Sequence, residues 1–199
     1  SKHDRDYNKS GVVDTYDSKS DTLLTQHTVK KDDYDYTVGF EYNEAEANFQ
    51  TNINSYSSSV NETRYTTGYF FEIDKVHNDS IISFSSRIDS ITDFDYHYSS
   101  RIGYANGPYR ASYSNGYRLP TLYEMYGVDS YGYTGNPNLE PEDLHSYEIG
   151  YNNGWLDTAL FYIQEENSIT YSNSSYINVE DGGTSKGIEL GLNKEVGGF

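Results

Sequence analysis

The sequence reads YRLPTLYEMYG at 117–127, GNPNLEPE at 135–142 and SYEIG at 146–150. Three of the four prolines in the chain fall inside this stretch, and the segments on either side of it alternate between apolar and polar or small residues. A proline has no N–H to offer a strand ladder. The stretch therefore predicts one long structured loop between two β-strands.

Two local patterns describe the course of this loop. A proline at the first helical position, apolar residues at spacing i, i+3, i+4, i+7 and a terminal glycine predict one or two helical turns. These residues are Pro120, then Leu119, Leu122, Tyr123 and Tyr126, then Gly127. The Asn136-Pro137 and Glu140-Pro141 pairs favour extended backbone before each proline, which returns the chain to the next strand.

Period-2 alternation recurs along nearly the whole chain. In 34–42 the even positions are aromatic or apolar and the odd positions are polar or small, and 96–104 repeats this pattern except at Ser100. Successive side chains of a strand point to opposite faces, so each such segment predicts a strand with one apolar face. About ten strands are predicted, near 7–16, 21–30, 34–43, 64–74, 80–90, 95–105, 108–117, 143–151, 155–171 and 176–193.

The lengths of the links between these strands favour an up-and-down order. Short links enter every second strand, at 31–33, 75–79, 106–107 and 152–154, whereas the long links, 44–63 and 118–142, fall on the other parity. All tight turns then lie at one end of the sheet and the long loops at the other, as in outer-membrane β-barrels. A soluble barrel or sandwich stays open as an alternative, because the apolar faces rely on Tyr, Thr and Ser.

Composition limits the possible functions. The 199 residues carry a formal net charge of −17, which excludes a basic surface for nucleic acid. No apolar run approaches the ~20 residues of a membrane-spanning helix. The acidic excess predicts either a vestibule that attracts cationic or metal-bearing ligands or a solvated loop surface. Tyrosine, at 23 residues, suits interfacial aromatic belts or ligand-stacking loops.

The quoted runs resemble the late-barrel signature of TonB-dependent outer-membrane receptors, and the likeness extends over roughly 64–199. Downstream of SYEIG, the fragments YIN at 176–178 and KGIE at 186–189 fit the same pattern. The residues that match the family motifs, and to which the resemblance gives a structural role, are Arg118, Pro120, Leu122, Tyr126, Gly135, Asn136, Pro137, Asn138, Leu139, Pro141, Glu142, Glu148, Gly150, Asn178, Gly187 and Glu189.

The resemblance implies an all-β fold, an antiparallel up-and-down transmembrane β-barrel of the bacterial outer membrane. Family barrels have 22 strands around a plug, so residues 1–199 are expected to form part of one barrel, with outer loops near 44–63 and 118–142. No plug domain or TonB box is found in the sequence. The implied function is import of a metal chelate (siderophore) or cobalamin, with TonB reached through the plug and outer-membrane lipid around the barrel.

Two other functions stay open: a soluble or surface-attached β binding module of the adhesin or lectin type, and a passive porin. No catalytic constellation stands out, so the protein is not expected to be an enzyme, and no cofactor or metal site is predicted. Acidic clusters at 32–33, 93–95 and 180–181 favour solvated turns over weak calcium sites. The predicted ligand contacts are the tyrosines of the long loop, Tyr123, Tyr126, Tyr131 and Tyr133.

Overall fold

β-Strands make up most of what the computed structural model describes, which is residues 2–9, 12–53 and 56–193. Ten strands form one antiparallel sheet, in which the first nine pair in chain order. The tenth pairs with the ninth, and a separate two-stranded hairpin lies between these two in the sequence. The strands of the sheet are β1 (Lys2–Lys9), β2 (Val12–Lys31), β3 (Tyr34–Ile53), β4 (Tyr56–His77), β5 (Ser80–Ile91), β6 (Phe94–Asn106), β7 (Tyr109–Arg118), β8 (Glu142–Asn152), β9 (Leu156–Glu166) and β12 (Thr184–Leu192). The predicted up-and-down sheet of about ten strands is confirmed.

The two faces of this sheet differ in chemistry, as the alternation predicts. One face carries exposed apolar and aromatic side chains across successive strands, among them Val38, Phe71, Phe84, Ile102, Tyr147, Leu160 and Leu190. We call this the apolar face. The opposite, polar face holds two arginine clusters, with Arg87 3.0 Å from Glu41 and Arg110 2.9 Å from Asp157.

Four tight turns lie at one end of the sheet, but the prediction that every tight turn lies there is wrong. Each contains a residue in the left-handed region: Asp32, Asn78, Gly107 and Gly154 have φ angles of 53°, 51°, 51° and 94°. Asn, Asp and Gly tolerate this conformation best, which explains their place in the four turns. The opposite end is not made of long links only, because β5 and β6 are joined by two residues there.

The prediction of a long loop at 44–63 is wrong. β3 and β4 stay paired from Glu44↔Tyr65 to Ile53↔Tyr56, and β2 follows them to Val12↔Ile53. The physical reason lies in the sequence of β3, where Ala47, Phe49 and Thr51 continue the alternation and are almost fully buried. The three strands therefore extend beyond the rest of the sheet. Residues 54 and 55 lie outside the described residues.

Three predicted strands have other limits. The prediction at 7–16 covers the end of β1 and the start of β2, which pair with each other through Tyr7↔Asp14; residues 10 and 11 lie outside the described part. The predictions at 155–171 and 176–193 are each divided. Between β9 and β12 the chain leaves the sheet and forms a hairpin of β10 (Ser168–Ser172) and β11 (Ser175–Val179). Left-handed Asn167 and Gly182, with φ angles of 57° and 38°, mark both exits.

The segment 119–141 runs outside the main sheet and contains one short helix, α1 (Leu122–Tyr126). We call 119–141 the long loop and the β10–β11 unit the hairpin. In the described ranges, no helix is both long and apolar enough to span a membrane.

Candidate ligand-binding cleft at the loop end of the sheet

The helix α1 is fixed by local capping. Thr121 is the N-cap: its hydroxyl accepts a hydrogen bond from the Glu124 N–H (3.1 Å), while the Glu124 carboxylate accepts one from the Thr121 N–H (2.7 Å). This reciprocal arrangement satisfies two N–H groups that a helix start leaves free. At the other end the Gly127 N–H donates to the Tyr123 carbonyl. The predicted short helix is confirmed, although Pro120 precedes the cap and is not the first helical residue.

A charged pair closes the base of the long loop where β7 and β8 separate. The Arg118 guanidinium donates to both carboxylate oxygens of Glu142, at 2.5 and 2.8 Å, and to Glu124 at 3.2 Å. Glu142 also accepts the Ile169 N–H of the hairpin at 2.6 Å. The Arg118 contact lowers the pKa of Glu142 below its ordinary value, so the pair stays ionised at neutral pH.

Three more motif residues join the long loop to the hairpin. The Asn178 amide donates to the carbonyls of Glu140 and Asn167 and accepts the Glu140 N–H, each at 2.9 Å. The Asn136 amide donates to the Tyr176 carbonyl at 2.9 Å. Gly135 lies against the backbone of α1, where a Cβ atom would be 2.5 Å from atoms of Met125 and Tyr126. The loop and the hairpin therefore form one hydrogen-bonded unit.

The other motif residues divide between the loop interior, its surface and the sheet. Pro120, Leu122, Leu139 and Pro141 are buried, Asn138 donates its N–H to Asn136, and Pro137 is exposed. On the polar face, Glu148 forms an ion pair with Arg110 at 3.1 Å, and Gly150 lies under the same guanidinium group. Gly187 lies under the Phe161 ring, and Glu189 is exposed.

A cleft of about 810 Å³ opens between the extended ends of β1–β3 and the long loop. Five of its lining residues are Tyr or Phe, and charged residues lie among them. Tyr123 meets Tyr16 and Phe49 nearly edge-on, with ring centroids 5.7 and 5.6 Å apart, and Tyr7 meets Tyr131 at 5.9 Å with their hydroxyls 2.6 Å apart. Such rings offer flat apolar surface together with hydroxyl groups, which suits a ligand with both characters.

The structure separates the four tyrosines that the sequence grouped as ligand contacts. Tyr123 and Tyr131 line the cleft, and Tyr131 is 73% exposed. Tyr133 is only 4% exposed, stacks on Tyr123 at 4.7 Å and donates its hydroxyl to the Tyr123 carbonyl. Tyr126 packs against the small core of Ala47, Phe49 and Leu122. Tyr126 and Tyr133 are thus placed behind the wall that Tyr123 and Tyr131 form.

Sequence reasoning missed the other wall of the cleft. Asp14 is 1% exposed, accepts the Thr51 hydroxyl at 2.6 Å and also accepts the N–H and hydroxyl of Ser130. The Asp14 carboxylate therefore links β2 to the long loop by hydrogen bonds between residues that are 116 positions apart in the sequence. Alternation places Tyr7, Asp14 and Tyr16 on one face, but no local signal pairs that face with the loop.

Burial shapes the chemistry of the tyrosines. It raises the pKa of Tyr16 to about 12 and raises the pKa values of Tyr123 and Tyr133 above the ordinary value. Their hydroxyls are therefore protonated at neutral pH and can donate hydrogen bonds. Among the described residues no group of three His, Asp or Glu side chains converges in a way that could hold a metal ion.

A family model described as "TonB dependent receptor-like, beta-barrel" matches residues 1–197. The chain belongs to this family. Two solved structures share the fold at low sequence identity. One is the siderophore receptor PirA from Pseudomonas aeruginosa, which has 19% sequence identity to this chain and a TM-score of 0.76. The match covers 95% of this chain and 39% of the PirA chain. The other is the copper transporter OprC, which has 16% sequence identity to this chain and a TM-score of 0.72. The match covers 94% of this chain and 36% of the OprC chain. No curated protein sequence matches the chain.

Family membership assigns the two faces and the two ends of this TonB-dependent receptor barrel. The predicted fold class, a partial antiparallel up-and-down transmembrane barrel, is confirmed, and so is its place in the outer membrane of Gram-negative bacteria. The apolar face then contacts lipid and the polar face lines the barrel interior. The end with the turns at Asp32, Asn78, Gly107 and Gly154 then lies on the periplasmic side and the cleft on the outer side, since long loops of such barrels are extracellular. The chain spans about two fifths of the length of the structures it matches.

Proposed function

We propose that this protein is an outer-membrane active-transport receptor that binds a scarce metal chelate (a siderophore) or cobalamin and imports it with energy supplied through TonB. The observation that carries the proposal is the cleft of about 810 Å³ on the polar face, lined by both aromatic and charged residues, at the loop end of a TonB-dependent receptor barrel. A volume of this size suits a small-molecule ligand. The cleft opens where a ligand from outside would first arrive.

In this proposal the parts of the chain have separate tasks. Tyr123 and Tyr131 contact the ligand, while Tyr126 and Tyr133 hold the wall behind them. The hairpin and the Arg118–Glu142 pair keep the loop in place. Coupling to TonB takes place through a plug domain, and the apolar face contacts outer-membrane lipid. The barrel supplies shape and binding groups and performs no bond chemistry, so the protein is not an enzyme.

Two structures with a similar fold, a siderophore receptor and a copper transporter, are both named for metal transport. This supports a metal-bearing ligand for the present protein. The adhesin or lectin alternative is less consistent with the broad apolar face, since a soluble module would leave that surface in water. A passive porin would need neither a ligand cleft nor an energy source.

Growth under iron limitation tests the proposal. The protein is expressed from its complete reading frame in a Gram-negative strain that lacks its own chelate receptors, with and without a functional tonB gene. We expect growth on at least one supplied ferric chelate, or uptake of cobalamin, only in the strain with TonB. The Tyr131→Ala variant should reduce uptake at low ligand concentration. Because Tyr131 is 73% exposed, its replacement should leave the amount of barrel in the membrane unchanged.

Two results would contradict the proposal. Uptake that is equal with and without TonB would indicate a passive porin. The absence of any TonB-dependent uptake, over a panel that includes hydroxamate, catecholate and citrate chelates and cobalamin, would remove the import function altogether.

A further inference from the structure

Two lysines lie on the apolar face near the turn that joins β2 and β3. The strand registers place Lys31, Tyr34 and Lys75 side by side on β2, β3 and β4. Directly opposite residues of antiparallel strands project to the same face, and Tyr36 follows Tyr34 on that face of β3. Because Val38 of the apolar face continues the same alternation, all four side chains belong to the apolar face. We call Lys31, Tyr34, Tyr36 and Lys75 the basic patch.

The aromatic rings give the basic patch a defined shape. Tyr34 stacks on Tyr36 with ring centroids 5.7 Å apart and an interplanar angle of 18°. The Lys75 ammonium lies 5.2 Å from the centroid of the Tyr34 ring, within the range of a cation–π contact. Neighbouring strands are about 4.8 Å apart, so the Cα atoms of Lys31 and Lys75 lie about 10 Å apart with Tyr34 between them. Two long, flexible lysine side chains at this spacing can reach one anionic group above the ring.

Two carboxylates close to the basic patch in sequence belong to the other face. Asp35 and Asp74 lie opposite each other on the polar face, and Asp35 binds Lys30 at 2.5 Å. The end of β2 therefore directs Lys30 to the barrel interior and Lys31 to the lipid side. The sheet itself separates both carboxylates from the basic patch.

The turns hold the other nearby carboxylates. Asp33 binds His77 at 3.1 Å, and Asp32 and Asp79 are exposed in the turns beyond the ends of the strands. Within the ranges that the structure describes, neither lysine of the basic patch forms an ion pair with any of them. Both ammonium groups therefore remain able to bind an anion from the lipid side.

The position of the basic patch along the barrel indicates which leaflet it meets. Lys31 is the last residue of β2, beside a periplasmic turn, and exposed apolar side chains such as Phe71 follow toward the membrane centre. Past the other end of this apolar stretch, the same face carries Asp21 opposite Glu44, and Asp21 binds Lys19. On these strands the inner boundary of the membrane is therefore basic, whereas the outer boundary has both signs of charge.

We propose that the basic patch binds the headgroup of an anionic glycerophospholipid in the inner leaflet of the outer membrane. The phosphodiester is held between Lys31 and Lys75, and its glycerol carbons lie against the Tyr34 ring. The acyl chains then follow the apolar face, where Phe71 and Phe84 lie 5.6 Å apart between ring centroids. A zwitterionic choline headgroup would place its own cation beside two ammonium groups. The inference uses the orientation of the barrel and is independent of the imported ligand.

Lipid retention by the purified protein tests the inference. The protein is expressed from its complete reading frame, extracted in detergent and equilibrated with equal amounts of phosphatidylglycerol and phosphatidylcholine that carry identical acyl chains. After a second purification, the lipids that remain bound are extracted and quantified by mass spectrometry. Each lysine near an anionic lipid surface contributes about fivefold, so we expect phosphatidylglycerol to be preferred by about 5- to 25-fold.

A matched pair of variants separates the basic patch from net charge. Lys31→Gln should reduce the preference for phosphatidylglycerol by about fivefold, and the double variant Lys31→Gln with Lys75→Gln should reduce it to less than about twofold. Lys30→Gln removes the same charge one residue away, but on the polar face. It should change the preference by less than about twofold.

Three results would overturn the inference. Equal retention of both lipids by the unaltered protein would do so without any variant. Equal losses in Lys30→Gln and Lys31→Gln would show that net charge alone is responsible. Stronger retention of lipopolysaccharide than of phosphatidylglycerol, dependent on Lys31, would assign the basic patch to the outer leaflet. None of these results depends on TonB-dependent uptake, which tests the import function separately.

Discussion

Replacing Gly135 by alanine should separate the long loop from α1. The added methyl carbon would lie 2.5 Å from the Met125 carbonyl carbon and oxygen and from the Tyr126 nitrogen. Ordinary contact begins near 3.4 Å, so the two backbones must move apart by about 1 Å. A backbone cannot rotate aside as a side chain can. The displacement also weakens the hydrogen bonds from Gly135 N–H to Gly127 (2.8 Å) and from Asn136 N–H to Glu124 (2.9 Å).

Overpacking of this kind costs about 1–3 kcal/mol, and each weakened hydrogen bond about 0.5–1.5 kcal/mol. With two hydrogen bonds weakened, we expect the free energy of local opening of residues 122–141 to fall by about 2–6 kcal/mol, which accelerates amide exchange there by roughly 30-fold or more. Hydrogen-exchange mass spectrometry in detergent measures this directly.

The control for this experiment is Gly116→Ala in β7, where an added Cβ meets nothing within 4 Å. It should leave exchange in 122–141 unchanged. If Gly135→Ala also left it unchanged, the close approach of loop and helix would be wrong.

Three further changes have defined outcomes. Asn178→Ala removes three hydrogen bonds and should speed exchange of the Glu140 amide by about 10-fold or more, with exchange in β5 as the internal reference. The pKa of Glu142 is lower in the folded protein than its ordinary value of 4.5, so its pairing with Arg118 stabilises the loop fully at pH values above 4.5. This stabilisation is lost as the pH falls through the folded pKa. Glu142→Gln should therefore remove the acid dependence of amide exchange in 122–141. Because the pKa of Tyr16 is raised to about 12, its protonated hydroxyl stabilises the fold fully below about pH 10, and this contribution is lost as the pH rises through 12. An ultraviolet titration of tyrosinate in a Tyr16→Phe variant should lack the ionisation step near pH 12.

The sheet could be predicted because its determinants are local. Alternation fixes which side chains share a face, and residues that tolerate positive φ, such as Asp32 and Asn78, mark the turns. The family-like runs around Pro120 and Asn136 located the long loop. The error at 44–63 had a different cause. Small and polar residues in that segment gave a weak strand pattern, and only burial of Phe49 against Leu122 reveals why it pairs.

The cleft could be predicted only in half. Tyr123 and Tyr131 lie in the long loop, which the sequence identifies, whereas Tyr7, Asp14 and Tyr16 lie more than a hundred residues away in the sequence. The contacts that unite the two walls, Tyr7 with Tyr131 and Asp14 with Ser130, come from the order of strands around the sheet. Such contacts carry no sequence spacing that a pattern could detect.

The hairpin was missed for a related reason. Its strands continue the alternation of β9 and β12, so the sequence reads as two long strands. The interruption depends on single residues with left-handed backbone, Asn167 and Gly182, and on the side chain of Asn178, which bonds to the long loop instead of to the sheet.

If the sheet crosses the outer membrane with the cleft facing outward, single cysteines placed at its two ends must differ in accessibility, and the 199 residues contain no cysteine of their own. Tyr131→Cys places a thiol on the loop, and Asn153→Cys places one in a tight turn. Intact cells are treated with a membrane-impermeant maleimide, before and after the outer membrane is opened. We expect Tyr131→Cys to be labelled in intact cells and Asn153→Cys only after the outer membrane is opened. Labelling in the reverse order, or of both positions in intact cells, would contradict this orientation.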